Sequence, residues 1–278
     1  MQEIIKIIRA HTEAPFGFCP FVEIGEHLIE CRAKARIPVG SKTVICFAFP
    51  YKIEGNPPKN ISRYAAVPDY HVVCGKILEK ITAALRERNK DNKFEYFIDN
   101  SPIPEVYAAS RAGLGRIGKN GLLITERFGS FVFLGEIVTD LEIKSDTNVT
   151  TCADCGACKS ACPVGLKKSE CLSAITQQKG ELSAEQKKLI KAHGSVWGCD
   201  ICQNVCPHNK KAENSFIEEF CEGYRSEYQR GEDIAQRAYE WRGEKVILRN
   251  ALLFDEVVQV VSADATATKG EIEKNRSR

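Results

Sequence analysis

The sequence predicts an α+β or α/β domain over residues 1–148, a cysteine-rich metal-binding domain over 149–212 and a short helical C-terminal segment over 213–278. Three observations carry this. Before residue 148, short apolar runs rich in aromatic and β-branched residues alternate with stretches of helical periodicity. Seven cysteines crowd into "TCADCGACKSACPVG" and "GCDICQNVCP". After 213 the chain turns charged and helical in pattern, and it closes on a polar tail, "SADATATKGEIEKNRSR", expected to be frayed.

"MQEIIKIIRAH" alternates charge with isoleucine and reads as an amphipathic helix; no apolar core follows that would make it a signal peptide. "KTVICFAFP" is a strand closed by Pro50. "VVCGKILEKITAALRERN" carries Val73, Ile77, Ile81 and Leu85 at helical spacing. "KFEYFI", "GLLIT" and "FVFLGEIV" read as strands, and "PIPEVYAASRA" reads as a helix between the first two. "SFIEEFCEGYRSEY" and "EDIAQRAYEWRGEKVILRNALLFDEVVQVV" read as helical.

A chain of 278 residues with 43% hydrophobic and 27% charged residues has enough apolar material for a real core. Its net charge of +2 announces no overall field for nucleic acid, which leaves a local basic face open. No apolar run is long enough to span a bilayer, so a cytoplasmic protein is expected. In that compartment thirteen cysteines point to metal ligands and buried thiols rather than disulfides.

Cys152, Cys155, Cys158 and Cys162 are spaced C-x2-C-x2-C-x3-C and followed by Pro163. This is the bacterial ferredoxin spacing, in which the fourth cysteine serves the other cluster of a pair. Two-residue gaps let one tight loop wrap three thiolates around a cubane, while the fourth leaves on a short helix. Cys206, after a three-residue gap and before Pro207, matches Cys162 in role. The first cluster is therefore expected on Cys152, Cys155, Cys158 and Cys206. The second is expected on Cys162, Cys199 and Cys202, with Cys171 as the remaining cysteine of the region. Two [4Fe–4S] clusters in a ferredoxin-like domain follow. Zinc is the rival occupant, but its sites show separated C-x2-C pairs rather than one compact run. Cys19, Cys31, Cys46, Cys74 and Cys221 are scattered and read as small buried hydrophobes.

"GLGRIG" fits the dinucleotide-binding pattern at Gly113, Gly115 and Gly118. That pattern needs a strand before it and a helix after it, and here the order is reversed. The glycines are expected instead to let a loop approach a flat ligand or a neighbouring strand.

"FIDNSPIPEVYAASRAGLGRIGKNGLLIT", the cysteine run and "GCDICQNVCP" together resemble the epoxyqueuosine reductases across about residues 40–210. "SRYAAVPDYH" and "WRGEKVILRNALL" are similar to segments of the same family. The resemblance implies a nitroreductase-like domain that binds cobalamin, clusters that deliver electrons to it from an external low-potential donor, and epoxyqueuosine in a tRNA anticodon stem-loop as the substrate. It implies that Asp99 is the proton donor. Beside a low-dielectric macrocycle that carboxyl is expected to have a raised pKa; read alone, an Asp before Asn-Ser-Pro also caps a helix or bonds its own backbone. Ser62, Arg63, Tyr70, Lys119, Asn120 and Ser130 are implied cobalamin contacts, with Asp200 facing a cluster or the corrinoid. A monomer is expected.

This chain departs from the family in two ways. Many members carry about a hundred further residues of helical repeats that help to hold tRNA. Here Lys167-Lys168, Lys187-Lys188, Lys210-Lys211, Arg225, Arg230 and Arg237 are left to meet phosphates, interleaved with Glu170, Glu185 and Glu213. His208 stands where the family commonly has an aromatic. The alternatives are a reductase of a small molecule, a dicluster electron carrier, and a zinc-stabilised binding module.

Overall fold

The computed structural model describes residues 1–144 and 150–255. The chain divides into two compact units, each assembled from separate stretches. One comprises Met1–Asn56, Val67–Leu166 and Asp200–Tyr224, and the other Pro57–Ala66, Lys167–Cys199 and Arg225–Arg278. The division is discontinuous along the chain and so differs from the consecutive segments 1–148, 149–212 and 213–278. The cysteine-rich stretch is shared: 152–166 and 200–206 lie in the first unit, 167–199 in the second.

The first unit is built on an antiparallel sheet of strands β1 (Phe16–Pro20), β2 (Thr43–Pro50), β3 (Phe94–Phe97) and β6 (Val132–Thr139), in the order β1-β2-β6-β3. Antiparallel pairing throughout makes this unit α+β in kind. All eight residues of β2 are buried, so both of its faces are covered. On one face α3 (Tyr70–Arg88) presents Val73, Leu78, Ile81 and Leu85, and Leu78 lies against Gly135. On the other, Val44, Cys46 and Val138 join Ala108, Ala109 and Ala112 of α4 (Glu105–Arg111) in one core. The alternation is the pleat at work: neighbours in a strand face opposite layers. Helix α1 (Gln2–Arg9) buries Ile4 and Ile8 as its spacing predicts.

Strand β1 was not legible in "FGFCP". Its Gly17 sits where a side chain would strike the Ala112 carbonyl of α4, so packing demands the residue that weakens the strand signal. "GLLIT" forms only the two-residue strand β5 (Leu123–Ile124), paired with β4 (Arg116–Ile117) outside the main sheet.

The second unit is helical, with α2 (Arg63–Ala66), α6 (Leu172–Gln177), α7 (Ala184–His193) and α10 (Glu244–Leu252). Its core gathers Leu172, Ile175, Leu182, Ile190 and Leu253. Buried Trp197 and Tyr239 meet edge to face at 5.8 Å. The C-terminal segment is less helical than its pattern suggests. Among its described residues only Glu218–Glu222, in the first unit, and Glu244–Leu252 are α-helical. Left-handed backbone at Gly231, Gln236 and Gly243 interrupts the rest. "EVVQVV" and the tail expected to fray lie outside the described residues. Among the described residues no helix is long and apolar enough to cross a membrane.

Candidate metal centre and acid cluster

Cys152, Cys155, Cys158 and Cys206 line one cavity in the first unit, together with Gly118, Lys119, Asn120, Ile124, Asp154, Pro207 and His208. These are the four cysteines that the spacing groups as the first cluster. The loop that carries three of them turns through left-handed backbone at Asp154 (φ 52°) and Gly156 (φ 75°), a conformation that turns backbone N–H groups into a concave, anion-binding nest. Lys119 Nζ holds Asp154 Oδ1 at 2.7 Å and pins that loop to the segment after β4.

The two arms are near copies. Cys158 lies on α5 (Ala157–Ala161) and Cys202 on α8 (Ile201–Asn204), and these helices pack together. Each is followed by a cysteine with the same backbone: Cys162 at φ −70°, ψ 123° and Cys206 at φ −69°, ψ 124°. A proline follows each. This is the local repeat found where two clusters exchange their fourth ligands. Among the described residues no three His, Cys, Asp or Glu side chains are close enough to hold a single metal ion. Of the second set, Cys162 and Cys202 lie in the first unit, Cys171 and Cys199 in the second. Cys171 caps α6. Of the scattered cysteines, Cys19, Cys46 and Cys74 are buried as expected, but Cys31 is half-buried and Cys221 exposed.

A buried polar network anchors the Cys206 arm to the sheet. Gln203 Oε1 accepts from Ser130 Oγ at 3.0 Å and Tyr51 Oη at 3.2 Å. Asn209 Nδ2 donates to Ser130 Oγ and to the Gln203 carbonyl, both at 2.8 Å, while its Oδ1 accepts from the Ser130 N–H. Gln203 Nε2 reaches Asp200 Oδ1 at 3.2 Å. Ser130 is thus tied to the Cys206 arm through both its hydroxyl and its N–H. Asp200 is nearly buried in the same network.

Asp99 lies just beyond β3 with left-handed backbone, φ 55°. Its carbonyl accepts from Ser101 N–H, and its own N–H donates to Glu105 Oε1 at 3.0 Å. Its Oδ2 stands 3.2 Å from His71 Nε2, and His71 Nδ1 stands 2.7 Å from Asp69 Oδ1. Asp69 also caps α3 by accepting from the His71 N–H. Tyr70 stacks on Phe133 at 4.2 Å.

The expected raised pKa of Asp99 is not found. The hydrogen bond from His71 lowers it, against a smaller opposing effect of burial. Burial works against a charge on His71, but its hydrogen bonds to Asp69 and Asp99 outweigh that and lift it to about 9. Near neutral pH the proton of the pair therefore sits on His71. Burial also pushes Glu105 up to about 8, and the charge of Asp99 adds to this. Glu136, wholly buried in β6, is raised well above the carboxylate range by burial and then by Glu105. Asp69, His71, Glu105 and Glu136 were missed from sequence. The only signals were the adjacent "PDYH" and a glutamate opening α4.

Of the other implied contacts, Tyr70 joins Asp99, and Lys119 and Asn120 join the cysteine cavity. Ser62 and Arg63 belong to the second unit, where Ser62 is buried and its N–H donates to the Trp197 carbonyl. Of the expected phosphate contacts, Arg237 is buried and donates to the Ala66 carbonyl, and Arg230 pairs with Asp255 at 2.5 Å.

Residues 33–100 match the family model described as epoxyqueuosine reductase QueG, DUF1730, and residues 151–209 match the 4Fe-4S double cluster binding domain. An epoxyqueuosine reductase of Listeria monocytogenes is 34% identical over 236 residues, covering 75% of this chain and 62% of that protein. The chain thus spans less than two thirds of that relative's own length. The solved epoxyqueuosine reductase of Streptococcus thermophilus superposes with a TM-score of 0.74 at 25% identity, covering 100% of this chain and 86% of that one. An epoxyqueuosine reductase solved with an epoxyqueuosine-modified tRNA-Tyr stem loop superposes with a TM-score of 0.77 at 24% identity, covering 91% and 80%. In sequence through both matched regions, and in fold along its length, the chain is a relative of the epoxyqueuosine reductases.

Proposed function

We propose that this protein reduces epoxyqueuosine to queuosine in the anticodon stem-loop of tRNA. The reaction takes two electrons and two protons, breaks both epoxide C–O bonds, forms a C=C bond and releases the oxygen as water. An external low-potential donor supplies the electrons one at a time through two [4Fe–4S] clusters, the first on Cys152, Cys155, Cys158 and Cys206, the second on Cys162, Cys171, Cys199 and Cys202. The observation that carries this reading is the pairing of Asp99 with His71 in the same unit as the four-cysteine cavity.

The cofactor proposed with the clusters is cobalamin, which when bound supplies a strong reductant to the substrate carbon. Asp99 and Lys119, 58% and 53% exposed, and Tyr70 and Asn120 beside them in sequence or space fit as polar contacts for so large a group. Ser62, Arg63, Ser130 and Asp200 remain proposed contacts. Asp99 relays a proton to the departing oxygen. That proton waits on His71, at hydrogen-bond distance from the Asp99 carboxylate, and passes through it as the oxygen leaves, while Asp69 fixes the imidazole through Nδ1. Glu105 holds the backbone of the Asp99 turn. We read the nitroreductase-like architecture, the monomeric state and a cytoplasmic location from the family resemblance. The test is conversion of a modified stem-loop by the reconstituted protein, and its loss in Asp99→Asn.

A further inference from the structure

His208 lines the cavity of the first four cysteines, and its Nε2 is buried with no hydrogen-bond partner in the protein. The other polar side chains of that wall are already engaged. Lys119 is paired with Asp154, and Asn120 Oδ1 accepts from the Leu122 N–H at 3.3 Å. Gly118, Ile124, Ala153, Gly156 and Pro207 offer no side-chain acceptor. Four of the lining side chains are the thiols of Cys152, Cys155, Cys158 and Cys206, and these sulfurs, with whatever they hold, are acceptors that the cavity offers.

The chain on either side of His208 is also held in place. Pro207 on one side fixes its own φ. Asn209 on the other is locked by bonds to Ser130 and Gln203. A buried N–H fixed against an acceptor-poor wall is costly unless the ligand of the cavity completes it. A reduced cluster carries one more negative charge than an oxidised one, so an N–H aimed at its sulfur favours the reduced form.

We propose that His208 donates its Nε2–H to a sulfur of the first cluster and raises that cluster's reduction potential above the value the cysteines alone would give. The proposal rests on the cluster assignment made above. It makes His208 a tuning residue: it sets which of the two clusters holds an arriving electron, and it takes no part in substrate chemistry.

The experiment uses the full chain, reconstituted anaerobically with iron and sulfide and followed by EPR during a redox titration. His208→Phe should shift one cluster to lower potential, leave the other where it was, and keep iron and sulfide content unchanged. His208→Gln, which keeps an N–H donor, should recover part of the shift. Equal potentials in wild type and His208→Phe would overturn the proposal. Wild-type protein carrying 15N-histidine supplies a check that needs no variant: pulsed EPR of the reduced protein should show coupling from one imidazole nitrogen, and its absence would also overturn it. A wild-type preparation with no iron–sulfur signal at all would overturn the cavity assignment, a separate and recognisable failure that takes the proposal with it.

Discussion

Asp99→Asn separates catalysis from folding. The Asp99 side chain is 58% exposed, so its 3.2 Å contact with His71 is screened by solvent and contributes at most about 1 kcal/mol. Asparagine keeps the shape and leaves the backbone bonds to Ser101 and Glu105 in place. For a chain of this size the melting temperature should then fall by no more than about 4 °C. The rate should suffer far more, since a positioned general acid contributes about 10²–10⁴-fold. The assay is single-turnover conversion of an epoxyqueuosine stem-loop under anaerobic conditions, read by mass spectrometry of the released nucleoside. His71 gives a second readout. With one of its two carboxylates gone, its NMR titration should move below the wild-type value of about 9. The sign for stability follows: the raised His71 pKa contributes fully below its ordinary 6.5 and is lost as pH rises through about 9. The lowered Asp99 pKa contributes above 3.8 and is lost in acid. A variant that keeps its rate within tenfold would refute Asp99 as the proton source. One that melts more than about 10 °C lower would recast Asp99 as structural.

Glu105→Gln should flatten a pH trend. In the wild type, the contribution of Glu105 to stability falls as pH rises from 4.5 through about 8, because folded Glu105 keeps a proton that the unfolded chain releases. Urea midpoints at pH 5 and pH 8 should converge in the variant, and parallel shifts in both proteins would contradict the buried-acid assignment. Cys206→Ser should lose about half of the bound iron while the exposed Cys221→Ser loses none, and equal loss in both would refute the exchange of fourth ligands. Gly115→Ala places a methyl group on the Ile124 carbonyl of β5 and should cost about 1–3 kcal/mol by chemical denaturation, where a neutral result would disprove that close approach.

What the sequence could reveal follows from the range of the interactions involved. Helix α3 was legible because Val73, Ile81 and Leu85 repeat within one segment. The likeness of the Cys206 arm to the Cys162 arm was legible because C-x3-C-P encodes a local turn that the fold repeats. The glycines of "GLGRIG" were rightly read as a close-packing device, since Gly115 abuts β5. The pKa of Asp99 was not legible, because its partner His71 arrives from 28 residues earlier through the packing of α3 against β3. The hydrogen bonds of Ser130 were not legible for a similar reason: their partners come from residues 203 and 209. The C-terminal segment overshot because single left-handed residues such as Gln236 interrupt a pattern that periodicity alone would continue.

The most direct measurement is mass spectrometry of the nucleosides from an epoxyqueuosine-bearing anticodon stem-loop, incubated anaerobically with the iron-loaded protein, cobalamin and a low-potential reductant. The account predicts queuosine, lighter by one oxygen, in wild type and a loss of about 10²–10⁴ in rate in Asp99→Asn. Unchanged epoxyqueuosine from protein that carries both clusters in reduced form would contradict it.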